Sequence, residues 1–231
     1  MTQNQELEFR EKFDPALIPA LYRNFRNPID AILELVDNAI DDRLPGVTMI
    51  ITADVVKDRV SIVDKGGLGM GPKELDAFFT WGLSKKRGKL GRYGQGGKAA
   101  MGYLGKSWQI RSTKRSEEQE YLIVEPDWDD RTGGLKKYRP EVKKTLFIED
   151  GVVQIDISHL KRKINKNELK RALGTIYRPL LKSGEIEIMS GGSVAPIEFS
   201  LEIPEENFRF EVDGHKVAGW LGFLEEGSKI R

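Results

Sequence analysis

The spacing of apolar residues predicts helices in several parts of the chain. The segments run from Pro15 to Phe25, from Asn27 to Arg43, from Pro72 to Phe79, from Lys98 onward and from Asn165 to Lys182. The second segment has the clearest ends, because Asn27 can cap it, Pro28 fits its first position and Gly46 lies just past it. We therefore expect a well-defined amphipathic helix there.

Strands are predicted where branched apolar residues cluster between turn-like residues. These segments are 47–56, 60–63, 107–112, 120–124, 146–149 and 152–157, and after Gly184 the pattern is strand alone, at 186–189, 197–203, 208–212 and 217–224. Residues 80–98 and 127–144 are glycine-rich or polar and are predicted as loops. A change of pattern near residues 190–196 predicts two units, residues 1–190 and a β-rich unit of residues 191–231 that the chain's end cuts short.

Composition excludes several classes of protein. The 231 residues include 37 basic and 36 acidic side chains, so the net charge of +1 gives no overall attraction to nucleic acid or anionic lipid. The chain has no cysteine, which removes disulfides and thiolate chemistry. No run of about 18 apolar residues and no secretory signal is present. A cytoplasmic protein without a membrane partner is expected.

Three polar residues share one side of the helix predicted at 27–43. At roughly 100° per residue, Glu34, Asn38 and Asp41 fall within about 60° of one another, opposite the apolar side chains. Asn38 offers an oxygen to Mg²⁺, and Glu34 can take a proton from an attacking water. A solvated face of an amphipathic helix fits the same pattern, so the helix alone leaves both interpretations open.

Glycines cluster in two places. Asp64 ends an apolar strand and is followed by Gly66, Gly67 and Gly69, so a flat ring can approach the backbone beside a carboxylate that accepts from an amine. An Asp that merely caps a turn is the alternative. Residues 80–98 hold six glycines and six basic residues with no acidic one. Leading into a helix, they predict a phosphate-binding loop, with a basic surface loop as the alternative.

Taken in order, three segments resemble the ATP-site motifs of the GHKL superfamily, which includes gyrase, heat-shock chaperone, histidine kinase and MutL-type ATPases. They are ELVDNAIDD at 34–42, VDKGGLGM at 63–70 and GRYGQGGKAA at 91–100. The segments look most similar to Microrchidia-type and related prokaryotic ATPases. The resemblance implies an α+β fold, a two-layer α/β sandwich of the Bergerat type with helices on one face of a mixed, mainly antiparallel sheet. Residues 1–190 would be the ATP-binding domain, and residues 191–231 would begin a transducer-like domain.

The resemblance also implies a site for ATP and Mg²⁺ with a role for each matching residue. Glu34 would activate the attacking water, Asn38 would bind Mg²⁺, and Asp64 would accept from the adenine amine. The other implied ATP contacts are Asp41, Gly66, Gly67, Gly69 and Met70 near the base, and Gly94, Gln95, Gly96, Gly97, Lys98 and Ala99 at the phosphates.

The sequence departs from the superfamily pattern at two points. Compared with the usual D-x-G-x-G, one more residue separates Asp64 from Gly69, which predicts either a bulged turn or a shifted register of the glycines. The segment 150–152 is Asp-Gly-Val where many members have Gly-Thr, so the threonine hydroxyl that helps the site is absent there.

The function implied is that of an ATPase in which nucleotide drives closure of a glycine-rich lid, so that the chain forms a homodimer or clamps a partner, and hydrolysis resets the clamp. Glu34 favours water as the acceptor, since histidine kinases of this fold generally have Asn there. The alternative is a nucleotide-binding switch with negligible hydrolysis that acts through protein or DNA partners, bound by regions C-terminal to this chain. Basic residues within 161–171 suggest direct DNA binding, although a solvated helix face also explains them.

Overall fold

The structure is a computed structural model that describes residues 20–80, 96–128, 136–145, 151–199 and 201–224, except for the side chains of residues 201–205 and 224. The chain divides into two compact units, Met1–Ala195 and Pro196–Arg231. The first unit is an α+β domain with one large mixed sheet, and the second contains a smaller sheet of two strands.

The helices and strands alternate along the first unit. The helices are α1 (Pro28–Asp41), α2 (Pro72–Phe79), α3 (Gly96–Leu104), α4 (Lys166–Ile176) and α5 (Arg178–Ser183), preceded by a short 3₁₀ helix at Tyr22–Asn24. The strands of this unit are β1 (Met49–Val56), β2 (Arg59–Gly67), β3 (Gly105–Thr113), β4 (Gln119–Glu125), β5 (Glu141–Lys144), β6 (Gly151–Leu160) and β7 (Ile186–Met189).

The large sheet has the strand order β5-β4-β3-β6-β2-β1-β7. Neighbouring strands are antiparallel except β1 and β7, which run parallel. Strands β2 and β6 are central strands, because each is hydrogen-bonded to a neighbouring strand on both sides. The backbone that carries a side chain on either strand is therefore fixed by two neighbours.

One face of the sheet and one side of α1 form the core. In β1, Met49, Ile51 and Ala53 are buried while Ile50 and Val56 are exposed, as the two-residue period of a strand requires. The buried side of α1 consists of Ile29, Ala31, Ile32, Leu35, Val36, Ala39 and Ile40. These side chains and those of the sheet belong to one hydrophobic cluster, so α1 packs on the sheet with its polar side turned away from it.

Most predicted elements of the first unit are present, with two corrections. The helix predicted from Asn165 to Lys182 is two helices, because Pro179 has no N–H to continue the first one and fits the start of the second. Strand β5 lies within the segment 127–144, which was predicted as a loop. Its four residues are all exposed and show no alternation of buried and exposed positions, so no strand was predicted there. The strand predicted at 146–149 and residues 15–19 of the helix predicted from Pro15 lie outside the described residues.

The second unit contains a β-hairpin, β8 (Leu201–Val212) and β9 (His215–Leu224). Its turn consists of Asp213 and Gly214, which both have positive φ angles, of 50° and 77°, as a tight hairpin turn requires. The separate strands predicted at 197–203 and 208–212 are replaced by the single strand β8. Whether this unit is transducer-like stays a prediction. Within the described part of the chain, no helix is long and apolar enough to cross a membrane.

The N-cap of α1 gives a first prediction. Asn27 Oδ1 accepts hydrogen bonds from the backbone N–H groups of Ile29 and Asp30, at 2.8 and 3.0 Å. Replacing Asn27 with Ala should therefore lower the free energy of unfolding by about 1 kcal/mol, measured by urea denaturation. Asn167→Ala, at an exposed position in the first turn of α4, is the control and should change it by less than about 0.5 kcal/mol. Equal effects would contradict the capping role.

Candidate functional site

The N-terminus of α3 lies against the polar side of α1. A methyl group on Gly96 would overlap the Glu34 carboxylate, and one on Gly97 would lie 3.4 Å from Asn38 Nδ2. Asn38 Nδ2 also donates to the backbone oxygen of Glu34 at 2.8 Å, which fixes the orientation of the carboxamide. A side chain at position 96 would have to displace the Glu34 carboxylate, and the close approach brings the first turn of α3 to the two α1 side chains that the sequence singled out.

The phosphate residues predicted from the sequence divide into two groups. Gly96, Gly97, Lys98 and Ala99 form the first turn of α3, where backbone N–H groups and the helix dipole favour an anion. Gly94 and Gln95 lie outside the described residues.

Lys98 contacts the end of another helix. Its Nζ donates to the backbone oxygens of Phe78 and Thr80, the second at 3.3 Å, and lies 5.4 Å from the centre of the Phe78 ring. Burial lowers the pKa of this lysine to about 8. In this structure Lys98 therefore joins α3 to the C-terminal end of α2, where the helix dipole favours a cation.

Asp64 is the buried carboxylate of the site. It is 5% exposed and lies on β2 opposite Val153 of β6. Burial, together with the nearby Asp42 carboxylate, raises the pKa of Asp64 to about 7, although a hydrogen bond from the Val153 backbone opposes the shift. Its Oδ1 has no hydrogen-bond partner among the described residues. An N–H group of a ligand would supply the missing partner.

The extra residue after Asp64 is accommodated by a bulge. The register between β2 and β6 shifts between Lys65 and Gly67, and the intervening Gly66 has a φ angle of +96° that L side chains rarely adopt. Asp64 itself stays in register with Val153. The bulge therefore lies after the carboxylate and leaves it in the sheet.

Asp42 anchors the glycine turn to α1. The residue follows the last turn of the helix, and its Oδ2 accepts from the backbone N–H groups of Leu68 and Gly69 at 3.2 and 3.1 Å. The sequence pattern assigns Asp42 no role of its own. The only signal was its position at the helix end beside Asp41, because the contact joins residues 26 and 27 positions apart.

Other backbone contacts hold the glycine turn from the opposite side. The backbone N–H of Met70 donates to Ser112 Oγ at 2.8 Å, and Ser112 Oγ in turn donates to the backbone oxygen of Val152 at 3.2 Å. Gly151 lies so close to the turn that a methyl group on it would be 2.5 Å from Gly69 N. Glycine at position 151 therefore lets β6 pack closely against the glycine turn. The Ser112 hydroxyl that binds the turn comes from the neighbouring strand, β3.

Helix α1 links the two ends of the site. Glu34 and Asn38 lie beside the start of α3, whereas Asp41 is the last residue of α1 and Asp42, which follows it, contacts the glycine turn. The eight residues from Glu34 to Asp42 correspond to about 12 Å along a helix, at about 1.5 Å per residue. A site of this length, with an anion-binding end and a buried acceptor at the other, fits an extended ligand such as a nucleotide.

Tyr177 contacts the edge of the polar side of α1. This buried residue stands between α4 and α5, and its hydroxyl donates to Asp37 Oδ1 at 2.7 Å and lies 3.2 Å from the backbone oxygen of Leu33. Burial and the Asp37 carboxylate raise the pKa of Tyr177, so the hydroxyl stays a donor at neutral pH. Burial also raises the pKa of Asp37. No motif in the sequence pointed to this pair.

Two residues of the basic segment that suggested DNA binding form hydrogen bonds within the fold. Lys161 Nζ donates to the backbone oxygen of Gly102 at 2.7 Å, and Arg162 Nη1 donates to that of Tyr103 at 2.6 Å. These cations lie at the C-terminal end of α3, where they satisfy carbonyls and complement the helix dipole. Both side chains thus have a structural role.

Comparison with known proteins identifies the class of fold. Residues 26–137 match the family described as histidine kinase-, DNA gyrase B- and HSP90-like ATPase. The topoisomerase IV ATP-binding domain of Francisella tularensis, solved in complex with a small-molecule inhibitor, is similar in structure with a TM-score of 0.56 and 19% sequence identity. That likeness covers 88% of this chain and 91% of the other. No curated protein matches the chain in sequence.

The buried carboxylate predicts how stability depends on pH. The folded chain holds the Asp64 proton up to about pH 7, whereas an unfolded Asp loses it near pH 4. The folded state therefore binds more protons between these values, and its free energy of unfolding should fall as the pH rises from about 4 to 7.

Asp64→Asn should flatten this dependence, which urea denaturation across that range would measure. Asp76→Asn, at an exposed position of α2, is the matched control and should leave the slope as it is. A wild-type slope in the Asp64→Asn variant would show that another group causes the dependence.

Proposed function

Since the matched family and the shared fold make this chain a member of the GHKL superfamily, we propose that it binds Mg-ATP and hydrolyses it to ADP and phosphate. The observation that carries the proposal is the placement of Glu34 and Asn38 against the first turn of α3, together with the buried carboxylate of Asp64 on β2, whose Oδ1 has no hydrogen-bond partner among the described residues. The likeness to Microrchidia-type members stays a prediction.

The phosphate end of the proposed site is supported by the contacts between α1 and α3. The backbone N–H groups of Gly96 and Gly97 begin a helix, so they are suited to phosphate oxygens. Asn38 lies beside them and supplies the neutral oxygen ligand that Mg²⁺ accepts. Bound Mg²⁺ would neutralise phosphate charge as it develops during transfer to water.

The base end is supported by the chemistry of Asp64. Its unpartnered oxygen is an acceptor, and adenine carries an exocyclic amine as a donor. The glycine turn that follows it, including Gly66, Gly67 and Gly69, is assigned in this proposal to the wall beside the base. Met70 follows this turn and packs against the core.

The hydrolytic step assigned to this chain is activation of water by Glu34. A carboxylate within hydrogen-bond reach of the attacking water accepts its proton as the new P–O bond forms and the bond to ADP breaks. The polar side of α1 presents Glu34 next to the first turn of α3, where the terminal phosphate would lie. The same proposal includes closure on nucleotide as a switch, a homodimer, a client that is protein or DNA, and a cytoplasmic location for the chain.

Substitution of Glu34 tests the hydrolytic role. Glu34→Gln should lower the rate of phosphate release by about 10²-fold or more, because the amide cannot take the proton from water. Affinity for a non-hydrolysable ATP analogue, measured by calorimetric titration with Mg²⁺, should change less than about threefold. Asn38→Ala should instead remove the Mg²⁺-dependent part of binding.

The control is Glu187→Gln, an exposed glutamate on β7, which should leave both measurements unchanged. Wild-type binding without phosphate release would replace the ATPase by a nucleotide-binding switch. Absence of analogue binding by the folded wild type would contradict the proposal as a whole.

Substitution of Asp64 tests the base. A carboxylate accepts from the adenine amine but repels the carbonyl oxygen that guanine carries at the same position, so the wild type should prefer ATP to GTP by at least about tenfold in affinity. Asp64→Asn should narrow that preference, since an amide offers both a donor and an acceptor. Calorimetric titration with both nucleotides would measure it, and an unchanged preference in the variant would remove Asp64 from base recognition.

A further inference from the structure

We propose that Tyr177 is a positioning residue that sets the orientation of Glu34 through its hydrogen bond to Asp37 and its contact with the Leu33 backbone. The proposal rests on the hydrolysis proposed above. Tyr177 lies outside the three sequence segments that carry the superfamily resemblance.

The Tyr177 hydroxyl contacts two residues of α1 that lie before and after Glu34 in the sequence. Leu33 immediately precedes the glutamate, and Asp37 follows it by nearly one turn of α1 and immediately precedes Asn38. The Tyr177 hydroxyl reaches both, at 3.2 Å from the Leu33 oxygen and 2.7 Å from Asp37 Oδ1. A rotation of α1 about its own axis would therefore have to break this contact.

Other hydrogen bonds fix α1 at its ends, at Asn27 and Asp42. Between them, the buried side packs on the sheet through aliphatic groups such as Ile32, Leu35 and Val36, which carry no hydrogen-bonding group. A rotation of only about 10° would move a carboxylate about 6 Å from the helix axis by roughly 1 Å. A displacement of that size can lower a catalytic rate by about 10²-fold.

Tyr177 is rigidly mounted for this purpose. Its backbone N–H donates to the oxygen of Leu173 at the end of α4, and its backbone oxygen accepts from Leu181 in α5 at 2.9 Å. The side chain is 4% exposed and lies within the hydrophobic core. The hydroxyl thus projects from the junction of two helices and does not depend on a surface loop.

The hydrogen bond also fixes the direction of the Asp37 carboxylate. The polar side of α1 carries Glu34, Asp37 and Asp41, and three carboxylates facing a polyphosphate would repel it. Because Tyr177 donates to Asp37, that carboxylate is directed toward the α4–α5 junction. Glu34 is then left as the carboxylate beside the first turn of α3.

The test compares kcat, KM and analogue affinity in a set of single and double variants of the whole chain. Tyr177→Phe keeps the ring in the core and removes only the hydroxyl, so kcat should fall about tenfold while analogue affinity changes less than about threefold. Asp37→Ala should do the same, and the double variant should lose no more than either single one. Asp37→Asn keeps an acceptor oxygen and should restore most of kcat.

The matched control is Tyr121→Phe. Tyr121 is also a buried tyrosine, but its hydroxyl donates to Gln119 on β4, which β3 and β6 separate from β2. Thermal unfolding of both tyrosine variants shows how much stability each hydroxyl supplies. We expect Tyr121→Phe to keep the wild-type kcat even where its midpoint falls.

Each outcome decides between the roles. An unchanged kcat in Tyr177→Phe, additive losses in the double variant, or a rise in KM alone would overturn the positioning role while the ATPase proposal stands. Absence of turnover in the unsubstituted chain would overturn the ATPase proposal, and this role with it.

Discussion

The proposed site depends on one constraint, which is that a single helix must face both the core and the proposed nucleotide. Helix α1 meets it with an apolar side that packs on the sheet and a polar side that carries Glu34 and Asn38. Its two ends are fixed by side chain to backbone hydrogen bonds, with Asn27 at the start and Asp42 at the end. Because groups on a packed helix are held more firmly than groups on a loop, the site inherits the rigidity of the core.

The buried carboxylate of Asp64 lowers the stability of the fold. Asp64 lies in a row of paired, inward-facing residues across the sheet, with Ile51 on β1, Val153 on β6 and Ser112 on β3. An apolar residue there would favour folding, whereas Asp64 resists ionisation and leaves one oxygen unpartnered. Such a local conflict with stability is expected where a position serves a ligand. Binding of a donor would relieve the conflict and stabilise the folded chain.

How far the sequence could predict the molecule depends on the distance over which each signal acts. The limits of α1 were predictable because periodicity, the Asn27 cap and Pro28 are all local. The glycine turn was predictable as a motif, but its bulge at Gly66 had to be seen in the register of β2 against β6. Strand β5 was missed, since an exposed edge strand needs no apolar alternation.

Contacts between distant residues left no signal to find. The hydroxyl of Tyr177 meets Asp37 across 140 positions, and Asp42 meets Gly69 across 27. Asp37 and Asp42 lie within the motif at 34–42, but neither the motif nor the periodicity indicates which distant residues they contact, and Tyr177 lies outside every motif. The contacts form because the topology brings Tyr177, at the end of α4, to Asp37 and brings the glycine turn to Asp42.

Lys98 shows how the same residue type can fit two partners. Its place in the glycine-rich motif predicts a phosphate contact, yet its ammonium group lies on the carbonyls of Phe78 and Thr80 at the end of α2. A phosphate contact through Nζ would require the group to leave these carbonyls and α2 to lose a cation that complements its dipole. The backbone N–H groups of Gly96 and Gly97 need no such exchange. The first turn of α3 is therefore better placed than the lysine to hold a phosphate in the structure as it stands.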